Sequence, residues 1–160
     1  MDLDKLKTNA MRILDKAGIP YSSFSYDNKD GLIDGVSVAN KIGQPVEYVY
    51  KTLVTQGTSR GYYVFIIPVA AELDLKAAAK AVGEKAVEMI KVTDINKVTG
   101  YIRGGCSPIG MKKEYPTVLD SSCDLLDNII LSAGKIGHQV GLAPDDLIKL
   151  IKCKTAHVTM

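Results

Sequence analysis

The sequence predicts a mixed α/β fold, with a curled mixed sheet flanked by helices. Helix-period and strand-period segments alternate along the chain. Two β-rich runs, 50–56 and 61–68, are joined by Gly57-Thr58-Ser59-Arg60, which reads as an antiparallel hairpin. Three further β-like runs, near 117–120, 127–132 and 138–142, sit close together in sequence. Hairpins and closely spaced strands argue against a purely parallel, doubly wound sheet, whose strands need helical crossovers. With 160 residues, 46% of them apolar and 24% charged, the chain reads as one domain spanning 1–160 with room for one sizeable core.

In chain order, Leu3, Leu6, Ala10, Ile13, Leu14 and Ala17 recur at helical spacing, so residues 2–17 read as an amphipathic helix, which Gly18 and Pro20 stop. Residues 21–26 carry strand-forming residues with aromatics near both ends. Asp27-Asn28-Lys29-Asp30-Gly31 is a loop. A short helix covers 36–42 up to Gly43, and Pro45 opens a helical turn through Tyr48. Beyond the hairpin, Asp74 caps a helix over 75–83 that ends at Gly83. A short strand is expected at 86–89, and a brief helix capped by Thr93 runs through Val98. Pro144, followed by Asp145 and Asp146, opens the last helix through Ile151, with acids in the first turn where the helix dipole favours them.

Several function classes are excluded early. The longest apolar run, 62–71, is too short to span a bilayer, and the first residues, Met1-Asp2-Leu3-Asp4-Lys5, do not form a signal peptide. The expected location is the cytoplasm. Cys106, Cys123 and Cys153 are odd in number and widely spaced, which argues for reduced thiols and against a zinc site. Two histidines and no spaced acidic cluster leave no metal centre, and no organic cofactor is implied. A net charge of +2 neither supports nor excludes nucleic acid. A protein gripping a long duplex shows a stronger basic bias, whereas one touching only the end of an RNA need not.

The most informative segment is Gly104-Gly105-Cys106-Ser107-Pro108-Ile109-Gly110. Three glycines and a proline in seven residues suit neither helix nor regular strand, and they let the backbone approach a ligand. The loop is either two tight turns at a sheet edge or a main-chain cradle for a carbonyl, a ribose or a phosphate. Lys112 and Lys113 follow it directly. Ser107 lacks the Gly-x-Ser-x-Gly context of a serine hydrolase. Lys51 shares its strand face with Val49 and Leu53, so it either snorkels to water or stands at a cavity edge, where its ammonium would polarise a carbonyl. Ser132-Ala133-Gly134-Lys135-Ile136-Gly137 has the same character as the first loop but no P-loop pattern. It is either a strand-ending turn or a second wall of a site. His138 reads as a surface or edge residue, or as a support to a site residue. Cys106 has only Arg103 nearby to lower its pKa and is a weak candidate nucleophile. Lys76 and Lys80 form a solvated helix face or, alternatively, an RNA-backbone footprint.

Tyr50-Lys51-Thr52-Leu53, Pro68-Val69-Ala70, Leu73-Asp74-Leu75-Lys76, Thr99-Gly100-Tyr101, the segment Gly104 to Lys113, and Ser132-Ala133-Gly134-Lys135 together resemble the YbaK/EbsC-type Cys-tRNA(Pro) deacylases. These are related to the editing domain of bacterial prolyl-tRNA synthetases. The resemblance runs in order over nearly the whole chain. It implies a compact α/β unit around a curved, partly barrel-like mixed sheet. The implied activity is cleavage of the ester between a small amino acid and the terminal ribose of a mischarged tRNA, foremost Cys-tRNA(Pro). By resemblance, Lys51 is the essential lysine, Gly104, Gly105, Cys106, Ser107, Pro108 and Gly110 wall the pocket, Tyr26 lines it, and Ser132, Gly134 and Gln139 stand beside it. In cysteine-specific members the substrate thiol attacks its own carbonyl, which makes the step lyase-like; otherwise it is a hydrolysis. Prolyl-tRNA synthetase is the implied helper protein.

An aminoacyl ester is already activated, so positioning and oxyanion stabilisation can carry much of the rate without a protein nucleophile. Asp34 and Gln139 stand where some members carry an aromatic residue and an aspartate. Side chains near a pocket set which amino acid fits, so alanine and serine esters remain rivals to cysteine. The rival of another class is a non-catalytic module that binds a tRNA acceptor end or a nucleotide.

Overall fold

The structure, a computed structural model, describes residues 7–160. The order of elements is α1 (Asn9–Lys16), β1 (Ser22–Ser25), α2 (Gly35–Lys41), β2 (Tyr50–Gly57), β3 (Tyr62–Pro68), α3 (Leu75–Val82), β4 (Val87–Met89), α4 (Ile95–Thr99), β5 (Thr117–Asp120), β6 (Ile129–Ser132), β7 (His138–Leu142), α5 (Pro144–Ile151) and β8 (Lys154–Ala156). Short 3₁₀ turns occupy Val46–Tyr48, Val92–Asp94 and Ser121–Leu125.

Local chemistry sets the ends of these elements. Thr8 is extended and its hydroxyl accepts from Met11 N (3.2 Å), so α1 begins at Asn9; the part of the expected helix that carries Leu3 and Leu6 lies outside the described residues. Asp34 and Asp74 cap α2 and α3 in the same way. Thr93 does not cap a helix. It sits inside a 3₁₀ turn that runs straight into α4, with no side-chain cap bond. The strand expected at 127 begins at Ile129.

The mixed α/β class holds, but the strands form two sheets rather than one. The larger has the order β4-β2-β3-β5-β8, with β4, β2 and β3 antiparallel and the β3–β5 and β5–β8 pairs parallel. The smaller, β1-β7-β6, is antiparallel. A parallel bridge between Val49 and Ile130 ties them together. Strand β3 is central, and Val64, Phe65, Ile66 and Ile67 are all fully buried, which explains its unbroken apolar run. Ile66 packs with Leu14, Leu119, Leu131 and Leu147 between the sheets, while Phe65 and Ile67 pack under Ala78 and Ala79 of α3. Each such side chain contributes about 1.5–3 kcal/mol by its burial.

The junction of the sheets leaves a gap. Val69 N donates to Val49 O (2.9 Å), so odd-numbered residues of β2 turn their main-chain groups toward β3 and even-numbered ones toward the other edge. On that edge, Val54 O accepts from Ile90 N (3.2 Å) and β4 pairs only with Thr55–Gly57. At the other end, β6 forms its one bridge at Val49, just before β2 begins. Between the two, no strand of the described residues is paired with the outer edge of β2 at Thr52.

Candidate functional site

A cleft opens at this gap. Its inner chamber, about 110 Å³, is lined by Val38, Val49, Tyr50, Thr52, Cys106, Ser132 and Gln139. Its outer chamber, about 630 Å³, is lined by Gly31, Asp34, Val36, Leu53 and Arg103. Ile33, Gly35, Lys51, Val69 and Gly104 line both, so Lys51 stands at the neck. Val49, Lys51 and Leu53 all line this cleft, as do Tyr50 and Thr52 between them, because the cleft opens along the strand's edge.

Lys51 is half-buried, and that burial lowers its pKa from the usual lysine value, partly offset by the charge of Glu72. Among the described residues it makes no hydrogen bond or ion pair, so its ammonium is left for something in the cleft. Thr52 Oγ1 is buried without a hydrogen-bond partner, beside its own outward-facing N–H and C=O. Leaving such a hydroxyl unpaired costs about 1–3 kcal/mol. Gln139, 6% exposed, lines the same chamber.

Two elements hold the walls. Lys41 Nζ donates to Asp27 O (2.8 Å), Asp30 Oδ1 (2.7 Å) and Leu32 O (2.9 Å), and so fixes the loop that carries Ile33 over the neck. Tyr101 joins the two glycine loops. Its hydroxyl donates to Ile109 O (2.5 Å), and its ring lies where a Cβ on Gly134 would come within 2.9 Å of it.

Of the residues singled out in the sequence, Lys51, Gly104, Cys106, Ser132 and Gln139 come together here. Others do not reach the cleft. Ser107 is fully buried, and its Oγ accepts from Ile109 N (3.2 Å), closing a turn within its own loop. Pro108 and Gly110 line a separate groove with Ile13, Lys113 and Leu150. Gly105 packs on the main chain at Lys135–Ile136, and Gly134 on Tyr101. Tyr26 stacks under Lys41 (5.7 Å from the ring centre), its hydroxyl buried without a partner, and it is not among the lining residues. Lys112 reaches Lys97 O instead (3.1 Å). His138 points into a third cavity with Tyr21 and Phe24, where burial and then Lys135 lower its pKa. Asp34 caps α2, accepting from Ser37 N (3.1 Å), and the Ser37 hydroxyl, then its N–H, holds the Asp34 carboxyl below the usual range. Thr52 was missed as a site residue. Its signal was only the polar side chain beside Lys51.

The chemistry on offer is binding and polarisation. Burial pushes the Cys106 thiol up to about 11, against a smaller lowering by Thr99, so it is no thiolate nucleophile at neutral pH. No group of three or more metal-ligating side chains occurs among the described residues. No helix there is long and apolar enough to cross a membrane.

The sequence model of the family described as the aminoacyl-tRNA editing domain matches residues 34–150. A relative in Enterococcus faecalis (strain ATCC 700802 / V583), named as the candidate Cys-tRNA(Pro)/Cys-tRNA(Cys) deacylase EbsC, is 44% identical over 96% of this chain and 93% of its own. Among solved structures, a candidate trans-editing enzyme for prolyl tRNA synthetase superposes with a TM-score of 0.77 at 22% identity, covering 96% of this chain and 98% of its own. The hypothetical protein APE2540 gives 0.84 at 17% identity, covering 93% and 97%. At these identities the two structures speak for the fold alone.

Proposed function

The chain belongs to the aminoacyl-tRNA editing domain family, and from that premise we propose that residues 1–160 work as one editing domain, a deacylase that clears mischarged tRNA, with Cys-tRNA(Pro) as the preferred substrate. The observation that carries this reading is the position of Lys51, half-buried and unpaired at the neck between a small chamber and a large one. The inner chamber suits a small aminoacyl side chain and is too small for a nucleoside. The outer one falls within the usual range of ligand pockets, roughly 300–1,000 Å³, and takes the terminal adenosine. The scissile ester then lies at the neck beside the Lys51 ammonium.

In this arrangement Lys51 stabilises the oxyanion that forms on the ester carbonyl. The outward N–H, C=O and hydroxyl of Thr52, with the Gln139 amide, orient the α-amino group and side chain. For a cysteinyl ester, the substrate thiol attacks its own carbonyl. A carbon–sulfur bond forms, the carbon–oxygen bond to the ribose breaks, and the thiol proton leaves with the ribose hydroxyl. The products are a cyclic thiolactone and free tRNA, so the step is an intramolecular acyl transfer from oxygen to sulfur that needs no water. The protonated Cys106 thiol is consistent with a protein that supplies no nucleophile. Prolyl-tRNA synthetase is the proposed helper, because so small a cleft reads little of a tRNA beyond its end.

The test is deacylation of tRNAs carrying cysteine, alanine, serine and proline by wild type and Lys51→Ala. Cleavage of Cys-tRNA(Pro) that the variant loses supports the reading. Cleavage confined to alanyl or seryl esters moves the specificity. Binding of tRNA with no cleavage of any ester overturns the enzyme reading in favour of a binding module.

A further inference from the structure

We infer that Arg103 and Lys135 form a two-cation clamp on the mouth of the cleft that grips backbone phosphates of the single-stranded 3′ end of the RNA; the inference rests on the proposed tRNA-editing function. The two loops that carry these residues meet main chain to main chain. A Cβ on Gly105 would lie 3.1 Å from Ile136 N and 3.5 Å from Lys135 Cα, and one on Gly104 would lie 3.5 Å from Ile136 Cγ1. Gly104 itself lines both chambers, so the seam between the loops leads straight into the neck. Arg103 lines the outer chamber, and both cations are exposed.

Neither takes part in an ion pair among the described residues, unlike Lys7, Lys41 and Lys97, which hold Asp15, Asp30 and Asp94. Asp34, which lines the outer chamber with Arg103, turns its carboxylate to the α2 cap and makes no ion pair with Arg103, and Glu72 acts on Lys51. The chain carries a net charge of only +2, so a general positive field cannot hold an anionic strand there. Two local, unpaired cations can. Exposed Ile102 (58%), just before Arg103 in the chain, adds an apolar face on which a base can rest.

The test measures binding of a labelled, uncharged acceptor-stem minihelix with its single-stranded 3′ end, across salt concentrations, to wild type, Arg103→Gln, Lys135→Gln and the double variant. Two phosphate contacts on a single strand contribute a salt slope of about 1.4, so wild type should lose about sevenfold more affinity than the double variant between 50 and 200 mM salt. Each single variant should remove about half of that slope. Thermal unfolding checks that the variants stay folded. Equal slopes for wild type and double variant, or no binding by wild type, overturn the clamp. A full effect on binding in a protein that cleaves no ester supports the clamp and refutes the deacylase reading, so the two failures are separable.

Discussion

Replacing Gly104 by alanine tests the cleft where its walls are tightest. Gly104 has φ +85°, a left-handed conformation that costs a non-glycine residue about 1–2 kcal/mol. The new methyl group would also lie 2.7 Å from Ile33 Cδ1, closer than real contacts allow. Ile33 can yield only by leaving its rotamer, at about 0.5–1.5 kcal/mol, and it lines both chambers. Gly83, which ends α3, supplies the control: it has φ +74° with nothing within 4 Å of its Cβ position. Gly83→Ala therefore carries the backbone term alone, less about 0.4–1 kcal/mol from a stiffer unfolded chain. We expect it to destabilise by about 1 kcal/mol, and Gly104→Ala by about 2 kcal/mol. At about 2–4 °C per kcal/mol for a chain this size, the melting temperatures fall by about 2–4 and 4–8 °C.

The two variants should part further in activity. Gly83→Ala should deacylate like wild type, while Gly104→Ala should lose at least tenfold in kcat/KM, because the displaced Ile33 narrows the neck beside Lys51. Urea unfolding and deacylation kinetics measure both. Equal stability losses, together with equal activity, would refute the claim that Gly104 and Ile33 close the neck.

The other expectations concern single groups. Thr52→Val removes a buried hydroxyl that has no protein partner, so stability should hold or rise by about 1 kcal/mol while deacylation falls; loss of stability instead would mean the hydroxyl is already satisfied. Cys106, with its thiol near 11, should react with iodoacetamide at pH 8 about a hundredfold slower than a free thiol, and Cys106→Ala should stay within about tenfold of wild-type activity; near-complete loss would refute attack by the substrate's own thiol. The ammonium form of Lys51 is the working one and its pKa is lowered, so activity corrected for spontaneous ester loss should fall as pH rises through a value below 10.5; activity undiminished at pH 10.5 would remove the ammonium from the mechanism.

Local chemistry made much of the fold legible. The hairpin turn, the Asp74 cap, the Gly83 stop and the Pro144 start are set by neighbours in sequence, and all appear where expected. The short strand β8 escaped notice because Lys154-Thr155-Ala156 has no strand pattern of its own; it is held by parallel pairing to β5. The same distinction divides the site. Lys51 and the glycine loop stand out by composition, but Gly-Gly-Cys-Ser-Pro-Ile-Gly does not say which residues face inward. Ser107 looked like the centre of the loop and proves to be a turn-closing hydroxyl. Thr52 looked ordinary because its importance comes from an absent neighbour, a strand that neither β4 nor β6 extends far enough to supply.

That missing neighbour links stability to activity. A continuous sheet would pair the outer edge of β2 and leave no cleft. In this chain the edge is open at Thr52, a lysine loses solvent beside it, and a glycine in a left-handed conformation closes the neck. Each of these works against folding, and only the lysine is partly compensated, by the charge of Glu72. Natural chains stay only somewhat above the stability they need, so such features persist where activity depends on them. The buried core of β3, apolar on both faces, is what allows the neighbouring strand to remain incomplete. A substitution that removes an unpaired polar group from the gap should therefore stabilise the protein while lowering its activity, and Thr52→Val is the smallest such change.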